Sequence, residues 1–336
     1  MLFSDAAFDP RLLALLACPR CGGSLDPALR CAVCGAGYTA TDGIPDLRLP
    51  GDARTNRVRD FYSVAPFPGY PTNATLEWLR ARATRSRFAR LLDVAIGGDA
   101  RIAEVGCGTG QMSLYLATGR RRVIGADLTR ESLRLAADAA QRFGIANVQF
   151  VETDLSRPGL RAGTFDVVYC SGVLHHTPDP RAAFRQVARL ARPGGIIVIG
   201  VYNRIARLPT RARGALARLT GQRWVPRDEI LTEREDDPER HEAWLRDQYC
   251  HPEEHRHSLG EVRGWMTEND VDYLRSFPSA QLFEEDDDIG LFDAQPDYWG
   301  LEAQLAQIGW IWKLGAEGGL FVVVGRRQPI RHAVPR

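Results

Sequence analysis

Between residues 101 and 203 the chain carries five stretches rich in apolar residues, and more polar segments separate them. The stretches read IAEV, VIGADL, VQFVETDL, FDVVYCSGVL and GGIIVIGVYN. Near-continuous apolar runs of this length predict strands that are buried on both faces, and a sheet of such strands needs helices to cover it. The pattern therefore predicts an α/β fold built on a doubly wound, mostly parallel sheet.

The segments around these strands show the spacing of helices. Apolar residues recur at three- and four-residue intervals from Phe184 to Ala191, and helices are also expected near residues 78–95 and 259–268. The segment RDFYSVAPFPGYP, at 59–71, predicts an irregular covering chain because it is rich in proline and aromatic residues. In a doubly wound sheet, ligands bind beyond the carboxyl ends of the strands.

Three glycines follow the first predicted strand directly, in the sequence EVGCGTG, at positions 106, 108 and 110. A loop that cradles the phosphates of a nucleotide would need a lysine here, and the chain has none in this turn. A dinucleotide fold would place a small residue where Gln111 stands. The turn alone therefore favours neither ligand.

Acidic residues accompany the ends of the first three strands. They are Glu104, Asp127 and Asp154. An acid at the end of the second strand can accept both ribose hydroxyls, and one after the third can accept the amino group of adenine. This arrangement predicts an adenosine without a pyrophosphate. Simpler structural roles remain open, since Glu104 and Asp154 could cap a helix and a turn.

These motifs resemble class I S-adenosylmethionine-dependent methyltransferases over residues 80–203 and again at the C-terminus. The matching pieces are EVGCGTG, GADL, TDL, FDVVYCSGVLHHTPDP and ARPGGIIVIGVYN. The resemblance implies a Rossmann-like sheet of seven strands, including VDYLRSF and GLFVVVGRR, and S-adenosyl-L-methionine as cofactor. It also implies a set of cofactor-binding residues: Glu104, Gly106, Cys107, Gly108, Gly110, Gln111, Asp127, Leu128, Asp154, Leu155 and Cys170. A purely packing role stays open for Gly110 and for the two cysteines.

Four cysteines near the N-terminus form two C-x2-C pairs: Cys18, Cys21, Cys31 and Cys34. This spacing predicts a tetrahedral structural zinc site with no open coordination position, and redox chemistry is the weaker alternative. The first fifty residues resemble the small zinc-ribbon proteins that activate tRNA and translation-factor methyltransferases. The resemblance implies that the ribbon docks a partner or a substrate, such as protein or RNA.

The sequence LHHTPDP resembles quinone-biosynthesis and related small-molecule methyltransferases. His175 and His176 are therefore candidate bases, although a structural role for the pair is equally open. Tyr249 and His251 are candidate acceptor-pocket residues because they begin a segment dense in titratable groups. The same segment contains His255 and His257, for which a solvated loop and a metal site are the alternatives.

The predicted organisation is a zinc ribbon at 1–50, a linker and helical cover at 51–95, and a methyltransferase domain at 96–336. Two insertions interrupt that domain, at about 204–258 and 280–318. We expect most arginines in the first insertion to be solvated. We expect the tryptophans of the second, Trp299, Trp310 and Trp312, to form a hydrophobic cover or a self-association face, which leaves a homodimer open.

The composition sets the wider limits. The 336 residues are 44% hydrophobic, and the formal net charge is only +1, so no overall field attracts nucleic acid or membranes. The N-terminus lacks the features of a signal peptide, and no apolar run is long enough to span a bilayer, so a cytoplasmic location is expected.

Together these features predict a methyltransferase that modifies an O, C or N atom of a small, aromatic or hydrophobic metabolite. Two alternatives stay open. One is a tRNA or rRNA methyltransferase that uses the ribbon to grip its substrate, and the other is a non-catalytic cofactor-binding scaffold or sensor.

Overall fold

A computed structural model describes residues 9–219, 228, 231–232, 236–249, 251, 253–282, 290–295, 300–315 and 318–329. Its centre is a sheet of nine strands in the order β1-β2-β5-β4-β3-β6-β7-β9-β8. The strands are β1 (Thr39–Thr41), β2 (Ile44–Asp46), β3 (Arg101–Val105), β4 (Arg122–Asp127), β5 (Val148–Glu152), β6 (Phe165–Ser171), β7 (Ala191–Tyr202), β8 (Val271–Phe277) and β9 (Leu320–Arg327).

Strands β3 to β7 are parallel to one another, whereas β9 is antiparallel to both β7 and β8. The predicted mostly parallel, doubly wound α/β fold is therefore confirmed. The expected count of seven strands is wrong, because the first two strands come from the ribbon and extend the sheet at one edge. Strand β2 runs parallel to β5, and Leu47 donates its backbone N–H to the carbonyl of Glu152 over 2.8 Å.

Helices connect and cover the strands. They are α1 (Pro10–Leu13), α2 (Ala53–Val64), α3 (Leu76–Arg85), α4 (Arg87–Ala95), α5 (Gln111–Leu116), α6 (Arg130–Phe143), α7 (Pro180–Leu190), α8 (Leu208–Leu219), α9 (Pro238–Tyr249), α10 (Leu259–Glu268) and α11 (Gly300–Lys313). A short 3-10 turn spans Leu174–His176. The helix expected at 78–95 is in fact two helices, because Ser86 ends α3 and caps the N-terminus of α4.

The covering segment differs from its prediction over its first half. Residues 59–64 belong to α2 and are not irregular. The helix forms because the side chain of Asp52 accepts the backbone N–H groups of Arg54 and Thr55, and because the first proline comes only at Pro66. The chain then runs irregularly from Ala65, as expected for a segment rich in proline.

The N-terminal ribbon packs against the part of the chain that follows it. Leu16 and Leu47 are fully buried, and Ala17 donates its backbone N–H to the carbonyl of Gly159. Glu152 is also buried, and it forms ion pairs with Arg48 of the ribbon and with Arg130 of α6. The burial of Glu152 raises its pKa. The N-terminal segment thus supports the loop that follows β5.

The two insertions contain side chains that are buried, and the sequence predicted one of them to be solvated. Arg207, predicted among solvated arginines, is fully buried. Trp310 is buried against Phe321, whereas Trp312 is 77% exposed. The two tryptophans therefore do not belong to one hydrophobic cover. Trp299 lies outside the described residues. Among the described helices, none combines the length and the hydropathy that crossing a membrane requires.

Candidate active site

A cavity of about 1020 Å³ opens at the carboxyl ends of β3, β4, β5, β6 and β7. Its opposite wall comes from α2, from the irregular segment after it, and from α9 of the first insertion. A cavity at this edge of the sheet is the expected place for a ligand. The volume is sufficient for a nucleoside-sized ligand together with a second small molecule.

The glycine-rich turn forms the floor of the cavity at the end of β3. Gly106 and Gly108 have φ values of +74° and +51°. A Cβ at Gly106 would lie 2.1 Å from a methyl group of Val173, and one at Gly108 would lie 2.5 Å from the carbonyl oxygen of Phe67. Glycine is required at both positions, because the backbone there is left-handed and other residues of the protein approach it closely.

Hydrogen bonds tie the covering segment to this turn. Phe67 accepts the backbone N–H of Thr109 over 3.3 Å, and Tyr70 donates its hydroxyl to the carbonyl of the same threonine over 2.7 Å. Gln111 donates its side-chain amide to the carbonyl of Gly69 over 2.6 Å. The segment 65–71 therefore closes the cavity over the glycine turn.

Asp127 lies at the end of β4 and lines the cavity beside the turn. Its carboxylate accepts the backbone N–H of Gly108 over 2.8 Å and that of Thr129 over 2.9 Å. Burial raises its pKa, and these two amide hydrogen bonds oppose the rise. These contacts fix the carboxylate at the cavity wall, where the hydroxyl groups of a ligand could reach it.

Glu104 and Asp154 also line the cavity. Each also accepts a hydrogen bond from the protein itself. Glu104 is 5% exposed and accepts the hydroxyl of Ser113 in α5, and its burial raises its pKa to about 8. Asp154 accepts the backbone N–H of Ser156 over 2.7 Å, which caps the turn. The side chains therefore shape the site as well as line it.

The remaining predicted cofactor residues divide into two groups. Six of them line the cavity together with the three acids: Gly106, Cys107, Gly108, Gln111, Leu128 and Leu155. Gly110 and Cys170 do not. A Cβ at Gly110 would lie 2.7 Å from Ala136, so this glycine permits close helix packing, and Cys170 is fully buried among core residues.

Of the four predicted catalytic residues, only His176 lines the cavity. His175 is fully buried behind it, with its ring 3.9 Å from that of Tyr202. Tyr249 donates its hydroxyl to Asp228 over 2.7 Å, away from the cavity. His251 stacks against His176 with ring centroids 3.6 Å apart, so it supports the site from behind.

His176 is held as a neutral ring. Its Nδ1 lies 2.7 Å from the carbonyl oxygen of Glu253, and since a carbonyl only accepts, Nδ1 carries the proton. Nε2 then has the free lone pair. Burial lowers the pKa of His176 to about 3, and the cations that surround it, Arg207 among them, act in the same direction. His176 is therefore better suited to accept a hydrogen bond than to act as a base.

A second part of the cavity wall is formed by side chains that sequence reasoning missed. They are Tyr62, Phe67, Tyr202, Trp244, Asp247 and Gln248. The aromatic density of RDFYSVAPFPGYP was a signal for the first two. Tyr202 lies in the motif ARPGGIIVIGVYN at the end of β7. No motif marks Trp244, Asp247 and Gln248, because they reach the cavity only through the path of the first insertion. We call this set the acceptor end, and the glycine turn with its acids the cofactor end.

The other two histidines of the segment that begins at Tyr249 do not line the cavity. His255 pairs with Glu253 at 3.1 Å and His257 with Glu261 at 2.8 Å. Among the described residues, the cysteine cluster is the one group whose ligand atoms could converge on a metal ion. The structure thus gives no support to a histidine metal site.

The four N-terminal cysteines converge as predicted. Their sulfur atoms all lie within 4.8 Å of one another, and the Cys18–Cys34 and Cys21–Cys31 pairs are 3.7 and 3.5 Å apart. A tetrahedral site with Zn–S bonds of about 2.3 Å would separate its sulfurs by roughly 3.8 Å. The donor set and its spacing therefore fit Zn²⁺.

Comparisons with known proteins agree with this geometry. Residues 103–199 match the protein family described as "Methyltransferase domain". An uncharacterized protein of Synechococcus sp. is 28% identical over 276 residues, which cover 73% of this chain and 65% of that protein. The ubiquinone biosynthesis O-methyltransferase of Ralstonia nicotianae is 37% identical over 108 residues, which cover 32% of this chain and 45% of that enzyme. The alignments thus span less than two thirds of either relative.

Solved structures with similar folds include two methyltransferases. The magnesium protoporphyrin IX methyltransferase of Synechocystis PCC 6803 has a TM-score of 0.47 and 14% identity. The alignment covers 83% of this chain and 100% of that chain. An S-adenosylmethionine-dependent methyltransferase of Mesorhizobium loti has a TM-score of 0.46 and 20% identity, with 73% and 100% covered. The match to the family is confined to residues 103–199, which include most of β3 and β7 and all of β4 to β6.

Proposed function

We propose that the protein is an S-adenosyl-L-methionine-dependent methyltransferase whose acceptor is a small aromatic or hydrophobic molecule. The observation that carries this proposal is one continuous cavity with two chemically distinct ends. The cofactor end has the glycine turn and three acids, whereas the acceptor end is mainly aromatic. A methyl transfer needs both molecules in one enclosed space, since its rate depends on alignment of the reacting atoms and exclusion of water.

At the cofactor end, Asp127 would accept the ribose hydroxyls, and Asp154 with Leu155 would contact the adenine. The bare backbone of Gly106 would lie against the methionine part. S-adenosyl-L-methionine supplies an electrophilic methyl group on sulfur, so the protein need not form a covalent bond to it. The residues of this chain bind, orient and desolvate the two molecules.

The shape and charge of the acceptor end favour a small molecule over RNA. Its lining combines aromatic rings with the acidic Asp247, and a carboxylate at that point would repel a phosphate backbone. The net charge of +1 supplies no general attraction for RNA either. The names of the relatives that are ubiquinone biosynthesis O-methyltransferases are consistent with a small acceptor.

The function can be tested by label transfer. The purified chain is incubated with methyl-labelled S-adenosyl-L-methionine and a cell extract, which is then separated into small molecules, RNA and protein. We expect label in the small-molecule fraction. Label in RNA that disappears steeply with salt would support the RNA alternative, and tight cofactor binding with no labelled product would support a scaffold or sensor.

We also propose that the cysteine cluster binds one structural Zn²⁺. Metal analysis of the purified chain should find about one zinc per molecule, and Cys31→Ala should lose it. Cys170→Ala is the matched control, because this buried cysteine lies outside the cluster. Zinc retained by Cys31→Ala would contradict the assignment.

A further inference from the structure

The acceptor end contains a buried carboxyl group that no motif marks. Asp247 is 6% exposed, lies on α9 and lines the cavity. Tyr62 donates its hydroxyl to one oxygen of Asp247 over 2.7 Å, and Gln248 donates its side-chain amide to the other over 2.9 Å. Burial raises the pKa of Asp247, whereas the hydrogen bonds from Tyr62 and Gln248 lower it.

Neighbouring groups fix this carboxylate in place. Gln248 also donates to the hydroxyl of Tyr202 over 3.0 Å, and its carbonyl oxygen accepts from the buried Arg207 over 2.6 Å. Arg207 in turn lies over the ring of Tyr202, 3.6 Å from its centre. A side chain held through both its partners keeps its geometry during a reaction.

Asp247 is also close to the cofactor end. The negative charges of Asp247 and Asp127 both raise the pKa of Tyr62, so both carboxylates are near its hydroxyl. Asp247 and Gly106 line the same cavity, so a molecule that contacts Asp247 would share one enclosed space with a cofactor at the glycine turn. His176, on the same cavity wall, offers only a weakly basic nitrogen.

We propose that Asp247 is the catalytic base of the proposed methyl transfer, and that the acceptor is a neutral molecule with a hydroxyl group, such as a phenol. An anionic acceptor would be repelled by Asp247, and a cationic one by the sulfonium of the cofactor. In the step itself, the O–H bond breaks and its proton passes to the carboxylate. The acceptor oxygen bonds to the methyl carbon, and the carbon–sulfur electron pair stays on sulfur.

This inference rests on the proposed function and can be tested apart from it. The protein is saturated with S-adenosylhomocysteine, and the binding of phenol and of anisole is measured by NMR titration. Anisole is the more apolar probe, so burial alone would favour it. A hydrogen bond to the carboxylate should instead make phenol bind about 10-fold more tightly.

The variant Asp247→Asn should reduce this preference to less than about 2-fold while the affinity for S-adenosylhomocysteine stays unchanged. Glu242→Gln is the matched control, because Glu242 is exposed on the same helix. Equal binding of the two probes by the wild-type protein, or a full preference in Asp247→Asn, would overturn the proposal. Absence of S-adenosylhomocysteine binding to the wild type would instead refute the proposed function.

A crystal structure of the wild-type protein with S-adenosylhomocysteine and phenol decides the matter if Asp247→Asn does not fold. The phenol oxygen should lie about 2.5–3.0 Å from an oxygen of Asp247. A phenol bound in the cavity without this contact would contradict the role of Asp247.

Discussion

The two ends of the cavity are built in different ways. The cofactor end comes from turns that directly follow consecutive parallel strands, and Gly108 and Asp127 are only 19 residues apart. The acceptor end joins residues that are distant in the chain, since Tyr62 and Asp247 are 185 residues apart. Local sequence therefore specifies the first, whereas the second depends on how α2 and the first insertion pack over the sheet.

The largest effect should follow from a change at the cofactor end. Asp127→Ala removes the proposed acceptor of two ribose hydroxyls, and hydrogen bonds to a charged group contribute about 1.5–3 kcal/mol each. We expect S-adenosylhomocysteine to bind about 10²- to 10⁴-fold more weakly, which corresponds to a loss of ~3–6 kcal/mol of binding free energy. Calorimetry measures this, with the exposed Asp138→Asn as control. Unchanged affinity would mean that Asp127 only holds the turn.

Arg207→Met should weaken the acceptor end and spare the cofactor end. The substitution leaves Glu254 and Gln248 without the buried cation that donates to them. Breaking such a buried pair costs about 3–5 kcal/mol of unfolding free energy. Denaturant unfolding checks this against Arg211→Met, an exposed arginine of α8. Equal stabilities of the two variants would show that the buried network is dispensable.

The pKa of Glu104 makes stability depend on pH. In the folded state its pKa is about 8, whereas an unfolded chain has a value of about 4.3. Between these values the folded state retains a proton that the unfolded state has lost. Stability should therefore fall as pH rises from about 4.3 to 8, by roughly 4–5 kcal/mol.

Glu104→Gln should flatten this decline, because glutamine does not titrate. Unfolding free energies measured across the range check the prediction, and the exposed Glu131→Gln should keep the wild-type slope. A slope that persists in Glu104→Gln would assign the pH dependence to another group.

The smallest effect is expected for Tyr62→Phe. The variant removes one donor to Asp247 but leaves the carboxylate. With the acceptor found by label transfer, we expect kcat/KM to fall about 10-fold and cofactor affinity to stay the same. Tyr115→Phe, a buried tyrosine outside the cavity lining, is the control. A weaker affinity for S-adenosylhomocysteine would place Tyr62 at the cofactor end.

The sequence predicted the fold and much of the site because strand periodicity and the glycine turn act locally. It placed Asp127 and Asp154 at the edge of the sheet where the cavity lies. It did not show that Cys170 is buried in the core, since a single residue in a strand can face either side of the sheet. It also missed Asp247, because no local pattern shows which helix of an insertion will cover a cavity.

The central claim is that the cofactor end binds an adenosine through Asp127 and the glycine turn. Titration of the purified chain with S-adenosylhomocysteine in a calorimeter tests it most directly. The account predicts saturable binding at one site per chain. No heat with S-adenosylhomocysteine, together with clear binding of NADH, would contradict it.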